Sequence, residues 1–309
     1  MIAFRKTNKS IIVWLASIFA VGAIAQSTAP APMRRVPFDS PEGWALKYFA
    51  SATMLSGLQP PEFAAERQQT GSITLGLEAG WLPTLSPERA RVGFSGRKEE
   101  DLNKAPVLVR PVVRVGLPWQ FNVVAAGLPP FRVSGVKPRL WAVGLERPIL
   151  RGDGWRLGWR GYGQTGSVEA SFTCPPRALE FPPGSASNPA GCVGESSDKA
   201  ILRYAGTEIQ FAWRIRRIPK LTPHVAVGGN VVHGEFQVSA PRENFFDRTR
   251  LRTSGLTYNG TAGVSYQLTN QLAFTVDAFY APLWVRREGA GRANDGLFNV
   301  RALLSYRLM

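Results

Sequence analysis

Apolar and polar side chains alternate along residues 256–308, nearly to the end of the chain. In 256–268 one phase is apolar or small, and the other is mostly Thr, Asn, Ser and Gln. The pattern restarts at Leu272, and again at Phe298. A period of two places successive side chains on opposite faces of a β-strand. The sequence therefore predicts three strands here, each with one apolar and one polar face.

The same alternation begins near residue 71 and predicts ten strands in all. The first seven are predicted at 71–82, 106–117, 119–127, 139–147, 155–172, 200–216 and 224–238. Short and long connections alternate between them, as in a transmembrane β-barrel whose two ends lie on the short-turn side. A soluble β-sandwich or a lipocalin-like cup also alternates, but these strands are longer than the usual five or six residues. Twelve strands would result if 44–56 and 91–94 formed an extra pair.

The N-terminus has the three parts of a secretory signal peptide, predicted over 1–25. Arg5, Lys6 and Lys9 precede an apolar run, and Ala23-Ile24-Ala25 is a small-x-small cleavage site. A membrane anchor is the alternative, but the run is short for a membrane span.

The chain carries a net charge of +15. Export argues against nucleic acid as its partner, and favours lipid phosphates, acidic lumen residues or anionic solutes.

Residues 26–70 are predicted to form a linker and one short helix, either a periplasmic cap or a plug in the lumen. Ser40-Pro41-Glu42 is a typical helix start, with a capping hydroxyl, proline at the first position and an acid in the first turn. The barrel is then predicted to span 71–309. Strand alternation also fits part of this segment, which leaves the helix and the extra strand as competing interpretations.

Two cysteines, Cys174 and Cys192, fit an exported chain with one disulfide. The segment between them contains five prolines and little that could form a core. It is predicted to be an exposed loop closed at its base. Two cysteines without a nearby histidine provide too few ligands for a zinc site.

The chain resembles bacterial outer-membrane β-barrel proteins over the signal peptide and residues 71–309. The last strand resembles the signal by which the barrel-assembly machinery recognises such proteins. The residues that carry this resemblance are Phe298, Val300, Ala302, Leu304, Tyr306 and Leu308. That family usually ends in Phe, whereas this chain ends in Met309. The resemblance implies outer-membrane localisation, with lipopolysaccharide and other outer-membrane lipids as neighbours, and it leaves the function open.

The polar phase of the strands is rich in arginine and defines the predicted lumen. The residues predicted to line it are Arg110, Arg114, Glu146, Arg156, Arg160, Tyr162, Glu208, Arg214, Asp277 and Arg301. One interpretation is a structural network in which arginines and carboxylates pair and fill a narrow barrel. The other is an electropositive pore lining that favours anions.

The sequence predicts a monomeric barrel for passive transport of a small solute, with the arginine excess favouring an anionic one. A non-conducting barrel that binds lipopolysaccharide or a partner through its loops is the second hypothesis. A lipid-modifying enzyme is the third. His233 and Glu235 share one strand face, with Ser239 further along, but this spacing is not diagnostic of a catalytic triad. No nucleotide fingerprint, zinc spacing or other cofactor motif is present, and we expect neither catalysis nor a cofactor.

Overall fold

The computed structural model describes residues 31–57, 70–289 and 291–308. The predicted signal peptide lies outside these residues. Ten antiparallel strands form a closed barrel, in which each strand pairs with its sequence neighbours and the first pairs with the last. The strands are β1 Ile73–Trp81, β2 Val107–Gly116, β3 Asn122–Leu128, β4 Lys137–Gly152, β5 Trp155–Ala170, β6 Asp198–Trp213, β7 Leu221–Gln237, β8 Arg250–Gln267, β9 Leu272–Ala281 and β10 Leu297–Arg307. This confirms the predicted barrel of ten strands.

The connections divide the barrel into two unlike ends. Those after β2, β4, β6 and β8 are short, and those after the odd-numbered strands β1 to β9 are longer. We call these the short-turn end and the long-loop end, and the first is periplasmic in barrels of this kind. Two turns differ from the prediction. Pro118–Gln120 is a 3₁₀ turn rather than the start of β3, and β4 extends to Gly152, through the predicted turn at 148–154.

The predicted helix is present as α1, Pro41–Ala52, and the alternative strand does not form in this segment. The Ser40 hydroxyl accepts a hydrogen bond from the Gly43 N–H at 3.1 Å, which satisfies one of the free donors of the first turn. The two segments of the alternative extra strand pair, 44–56 and 91–94, do not pair with each other. The first contributes to α1, and Arg91–Gly93 of the second forms a small hairpin with Lys98–Glu99. None of the described helices is long and apolar enough to cross a membrane.

The N-terminal segment enters the barrel from the long-loop end. Met33–Arg35 pairs in parallel with Arg250–Arg252, the first residues of β8. The helix α1 follows, and Trp44 and Ala50 on it are completely buried. Residues 53–57 then continue deeper, among the side chains of the inner barrel wall. We call residues 41–57 the plug, because they fill the lumen without being part of its wall.

The long-loop end is covered by further short elements. Helix α2 spans Pro87–Ala90, and a 3₁₀ turn spans Pro176–Glu180. Two more hairpins pair Ala240–Pro241 with Phe246–Asp247, and Trp284–Arg287 with Gly291–Asn294. Together with α1 they close this end of the barrel over a mainly apolar core.

Candidate functional site in the barrel lumen

The lumen is occupied at mid-height by the end of the plug, and three arginines of the wall hold it. Arg110 on β2 forms the first contact. Its guanidinium binds both oxygens of Glu78 on β1, at 2.7 and 3.0 Å. The remaining N–H groups donate to the carbonyl oxygens of Thr53 at 2.7 Å and Met54 at 3.2 Å. A planar guanidinium has five donors in fixed directions, so one arginine can bind an acid and the plug together.

Arg160 on β5 forms the second contact. It pairs with Glu146 on β4 at 2.8 Å and with Glu208 on β6 at 3.0 Å. Its Nη1 also donates to the Gly57 carbonyl oxygen at 2.7 Å. The Gly57 N–H in turn donates to the Glu208 carboxylate at 3.3 Å. Both backbone groups of Gly57 are thus bonded to the wall.

Arg301 on β10 forms the third contact. Its Nη1 donates to the Met54 carbonyl oxygen at 3.1 Å, and its Nε lies 3.3 Å from a carboxylate oxygen of Asp277 on β9. The guanidinium also lies over the Phe279 ring, at 4.7 Å from the ring centre. Charge-assisted hydrogen bonds of this kind are stronger than those between neutral groups. The plug is therefore bonded from three sides.

The charges in this layer balance. At this height the buried arginines of the wall are Arg110, Arg114, Arg160 and Arg301, and the buried acids beside them, on neighbouring strands, are Glu78, Glu146, Glu208 and Asp277. Arg114 completes the set by pairing with Glu146 at 3.1 Å. An anion in the lumen at this height would meet acids as well as arginines. The arginine excess of the sequence is located at other positions.

Two polar wall residues that the sequence analysis did not single out also bind the plug. The Tyr204 hydroxyl accepts a hydrogen bond from the Leu55 N–H at 2.7 Å, and Gln164 donates to the Thr53 hydroxyl at 2.9 Å. Tyr204 and Gln164 lie in the inward phase of their strands, so alternation alone could have found them. Thr53 could not be found in this way because it lies outside the barrel wall.

The predicted lumen residue Tyr162 belongs to a separate hydrogen-bonded group. Its hydroxyl donates to the Asn230 side chain at 2.7 Å, and the Asn230 amide donates to Asn259 at 2.8 Å. This chain of contacts links β5, β7 and β8 across the lumen. The Tyr162 ring also packs edge-on against the Tyr204 ring, with the ring centres 6.0 Å apart, so this group supports the wall beside the plug.

The wall opposite Arg110 is polar but weakly bonded. Among the described residues, both ring nitrogens of His224 and the hydroxyls of Ser56, Thr257 and Thr261 are buried without a hydrogen-bond partner. Buried polar groups are normally satisfied by protein or by ordered water. This face of β7 and β8, beside the tip of the plug, is therefore suited to contact with water or a polar solute.

Two of the predicted lumen residues lie near the short-turn end. Arg156 is half-buried near the start of β5, and Arg214 follows the last residue of β6. Arg216, in the same turn, pairs with Asp153 at 2.8 Å on the surface. These arginines are separated from the plug contacts.

The residues considered for catalysis do not form a site around the lumen. His233 lies on the outer face of β7, where its Nδ1 is 2.9 Å from the Ser254 hydroxyl. Ser239 follows the end of β7, and its N–H donates to Asp198. In the part of the chain that the structure describes, no group of His, Cys, Asp and Glu side chains could hold a metal ion.

The external loops contain the predicted disulfide and a largely buried carboxylate, that of Glu100. Cys174 and Cys192 are bonded, with their Cα atoms 5.7 Å apart. Glu100 lies nearby, 2.6 Å from the Lys98 amine. Burial raises the pKa of the Glu100 carboxyl to about 7, with Asp198 acting in the same direction and Lys98 and Arg242 opposing it. The Glu100 carboxyl therefore titrates near neutral pH, unlike an exposed one.

The outer face of the barrel is apolar over most of its height. Side chains of the outward phase, such as Leu77, Val227 and Leu256, are more than half exposed. Aromatic residues flank this belt toward the strand ends, among them Trp81, Trp141 and Tyr266. An exposed apolar belt with aromatic girdles around a closed barrel is stable only in a lipid bilayer. The protein is a bacterial outer-membrane β-barrel.

No protein-family model matches this outer-membrane barrel, and no curated protein matches its sequence. Solved structures are similar to it in overall fold. The outer membrane protease OmpT from Escherichia coli is 12% identical, with a TM-score of 0.40 over 77% of this chain and 94% of that protein. The translocator domain of the autotransporter NalP from Neisseria meningitidis is 10% identical, with a TM-score of 0.39 over 79% and 90%. The Pseudomonas putida toluene transporter TodX is 9% identical, with a TM-score of 0.33 over 83% and 95%.

Proposed function

We propose that this outer-membrane barrel transports a small solute passively, and that the plug is its gate. The observation that supports this most directly is the way the plug is bonded. Residues 53–57 are held through backbone carbonyl oxygens by Arg110, Arg160 and Arg301. Water or a polar solute could replace each of these contacts, and the arginines would keep their paired acids. The plug can therefore leave without stranding a buried charge.

The path that opens would follow the inner face of β7 and β8. His224, Thr257 and Thr261 offer polar groups there without protein partners among the described residues. Because the buried charges at plug height balance, we propose a small polar solute without a requirement for negative charge. The anion preference predicted from the arginine excess is not part of this proposal.

A non-conducting barrel with a surface role is the second candidate. It is favoured by the complete pairing of the central arginines, which is also what a structural lumen network would show. In that case the external loops would carry the function and the plug would remain in place. The two candidates differ in whether the plug ever leaves the lumen.

Recording from the purified, folded protein in planar bilayers tests the proposal. We expect brief openings from a mostly closed state, with weak selectivity between cations and anions. Vesicles that contain the protein should also take up a small neutral sugar faster than empty vesicles. Silent bilayers and impermeable vesicles, with protein that migrates as a folded barrel in unheated electrophoresis samples, would refute transport and favour the surface role.

A further inference from the structure

The barrel wall has a gap between β2 and β4 on the side of the long-loop end. Strand β2 pairs with β3 only over Val112–Gly116, although β2 itself begins at Val107. Strand β3 ends at Leu128, which pairs with Leu140 of β4. Within the described part of the chain, no residue pairs with the β3-facing edge of Val107–Pro111. The wall is therefore open between this edge and the start of β4.

Prolines border the gap on each side. Continuing β3 beyond Leu128 would place Pro129 and Pro130 in the empty position, and neither could donate a backbone hydrogen bond. The Gly116 N–H bonds toward β1, so alternation directs the odd-numbered residues of β2 toward the gap. The same alternation places Pro111 on one edge and Pro138 on the other. Only Val107 and Val109 then direct N–H groups into the gap.

This arrangement differs from an accidental break in pairing. Unpaired backbone donors are costly next to lipid, so barrels in membranes normally keep every strand paired. Proline at the gap edges removes donors that would otherwise draw the strands together. The sequence thus stabilises the open wall at this one position.

An apolar cavity of about 430 Å³ lies behind the gap. It is bounded inside the barrel by Phe49 of the plug and by Leu140, Leu202 and Phe172, and it reaches the outward-facing Val107 and Val109. A cavity lined by side chains from both faces of the wall must pass through the wall. Its volume is in the range of sites for small organic ligands, roughly 300 to 1,000 Å³.

The charge around the gap defines the ligand further. Arg139 is exposed on β4 beside Pro138, and Lys137 precedes it at the long-loop end. Below them Trp141, 60% exposed, marks the level of the membrane interface. The gap therefore has an apolar interior and a basic upper rim, which is complementary to an anionic head group with a hydrocarbon chain.

We propose that this cavity binds the acyl chain of an anionic amphiphile, which enters sideways from the external leaflet through the gap between β2 and β4. The chain occupies the apolar cavity, and the carboxylate or phosphate head stays at Lys137 and Arg139. The molecule adjacent to the gap in a membrane is itself an acyl chain, which makes this occupant the natural one. The site is separate from the proposed path of the polar solute, because it lies above the arginine layer and opens to lipid. Since Phe49 of the plug forms its inner wall, it belongs to the closed state of the barrel.

Photocrosslinking tests the site with two probes that carry a diazirine in the same acyl chain: a free long-chain fatty acid, and a phosphatidylglycerol in reconstituted vesicles. We expect adducts on peptides that contain Leu128, Leu140 or Leu202, which line this cavity, mapped by mass spectrometry. Labelling by the fatty acid alone would identify a free ligand, and labelling by both would identify membrane lipid as an occupant. Adducts confined to the outer belt, with either probe, would overturn the proposal.

Two cavity-filling substitutions provide the matched comparison. Val168→Trp fills the cavity behind the gap, whereas Val238→Trp fills a second apolar cavity, of about 480 Å³, which shares Phe49 and Phe172 with the first cavity but does not reach Leu140 or Leu202. Both valines are half-buried. We expect labelling of the cavity peptides to fall at least tenfold in the first variant and to stay unchanged in the second. Equal labelling in the two folded variants would refute the assignment.

A third variant keeps the test independent of core packing. Lys137→Glu with Arg139→Glu alters only the rim, and we expect binding of the fatty acid to weaken by about fivefold or more, since each basic residue near a membrane attracts anions. A neutral acylglycerol probe should be unaffected. Equal loss with both probes would contradict the proposed position of the head group.

Discussion

Replacing Gly57 by alanine should open the plugged barrel without altering its wall. Gly57 has φ +67°. A Cβ added there would meet Thr261 at 2.8 Å, Arg301 at 2.9 Å and the Asp277 carboxylate. All three neighbours are buried, and Arg301 is bonded to both the plug and Asp277. None of them can move away without losing contacts of its own.

The size of the shift toward the open state follows from two free-energy costs that Gly57→Ala adds to the closed state. A left-handed backbone costs a residue with a side chain about 1–2 kcal/mol. Overpacking a filled site costs about 1–3 kcal/mol more. Together the closed state loses about 2–5 kcal/mol, while an open state in which Gly57 has left the lumen loses neither. At 1.4 kcal/mol for each factor of ten, the open population rises roughly 30-fold to several thousand-fold.

The open probability in planar bilayers measures this shift, and Gly71→Ala is the matched control. Gly71 also has a positive φ, +86°, but a Cβ there would have nothing within 4 Å. It therefore reports backbone strain without the collision in the lumen. Both proteins should migrate as folded barrels. If Gly57→Ala and Gly71→Ala open equally often, residues 53–57 are not the gate.

Three further predictions concern the wall and the loops. Arg110→Met should lower the free energy of unfolding in urea by about 3–5 kcal/mol, because it strands the buried carboxylate of Glu78; adding Glu78→Gln should recover most of this loss. Replacing Cys174 and Cys192 by serine should destabilise the closed loop by about 3 kcal/mol, seen as faster proteolysis between them, with unchanged cleavage refuting the estimate. The pKa of Glu100 is raised to about 7 from 4.5, so its contribution to stability is complete below pH 4.5 and is lost as the pH rises through 7. Hydrogen exchange in 91–104, corrected for its intrinsic rate, should therefore increase from pH 5 to 8 in the wild type and not in Glu100→Gln.

The barrel could be predicted from local patterns because its strands obey a strict geometric rule. Each strand is exposed to lipid on one face and to the lumen on the other, so a period of two is enforced over its full length. The C-terminal strands, the disulfide loop and the helix start at Ser40 all followed from short-range signals of this kind. The turn at Pro118 was predicted from the proline, but its extension through Gln120 had no such signal, since alternation continued across it.

The lumen contacts illustrate the limit of this reasoning. Arg110 and Glu78 could be placed on the inner face from their phase alone. Their actual pairing depends on the register between β1 and β2, in which they are directly opposite. That Arg110 also binds the Thr53 carbonyl oxygen depends on a segment whose position cannot be predicted from alternation. The balance of positive and negative charge at the height of the plug contacts could not be predicted either, because this requires knowing which arginines and acids lie at the same level of the barrel.

The sequence by itself determined the architecture of this protein: ten membrane strands and a polar lumen rich in arginine. The tertiary structure determined how the charged residues of the lumen pair and bind the plug, and where the barrel wall is incomplete. The physical reason is the range of the interactions. Alternation reflects the surroundings of each residue along its own strand, whereas the plug contacts and the gap beside Pro111 and Pro138 arise between segments far apart in the chain.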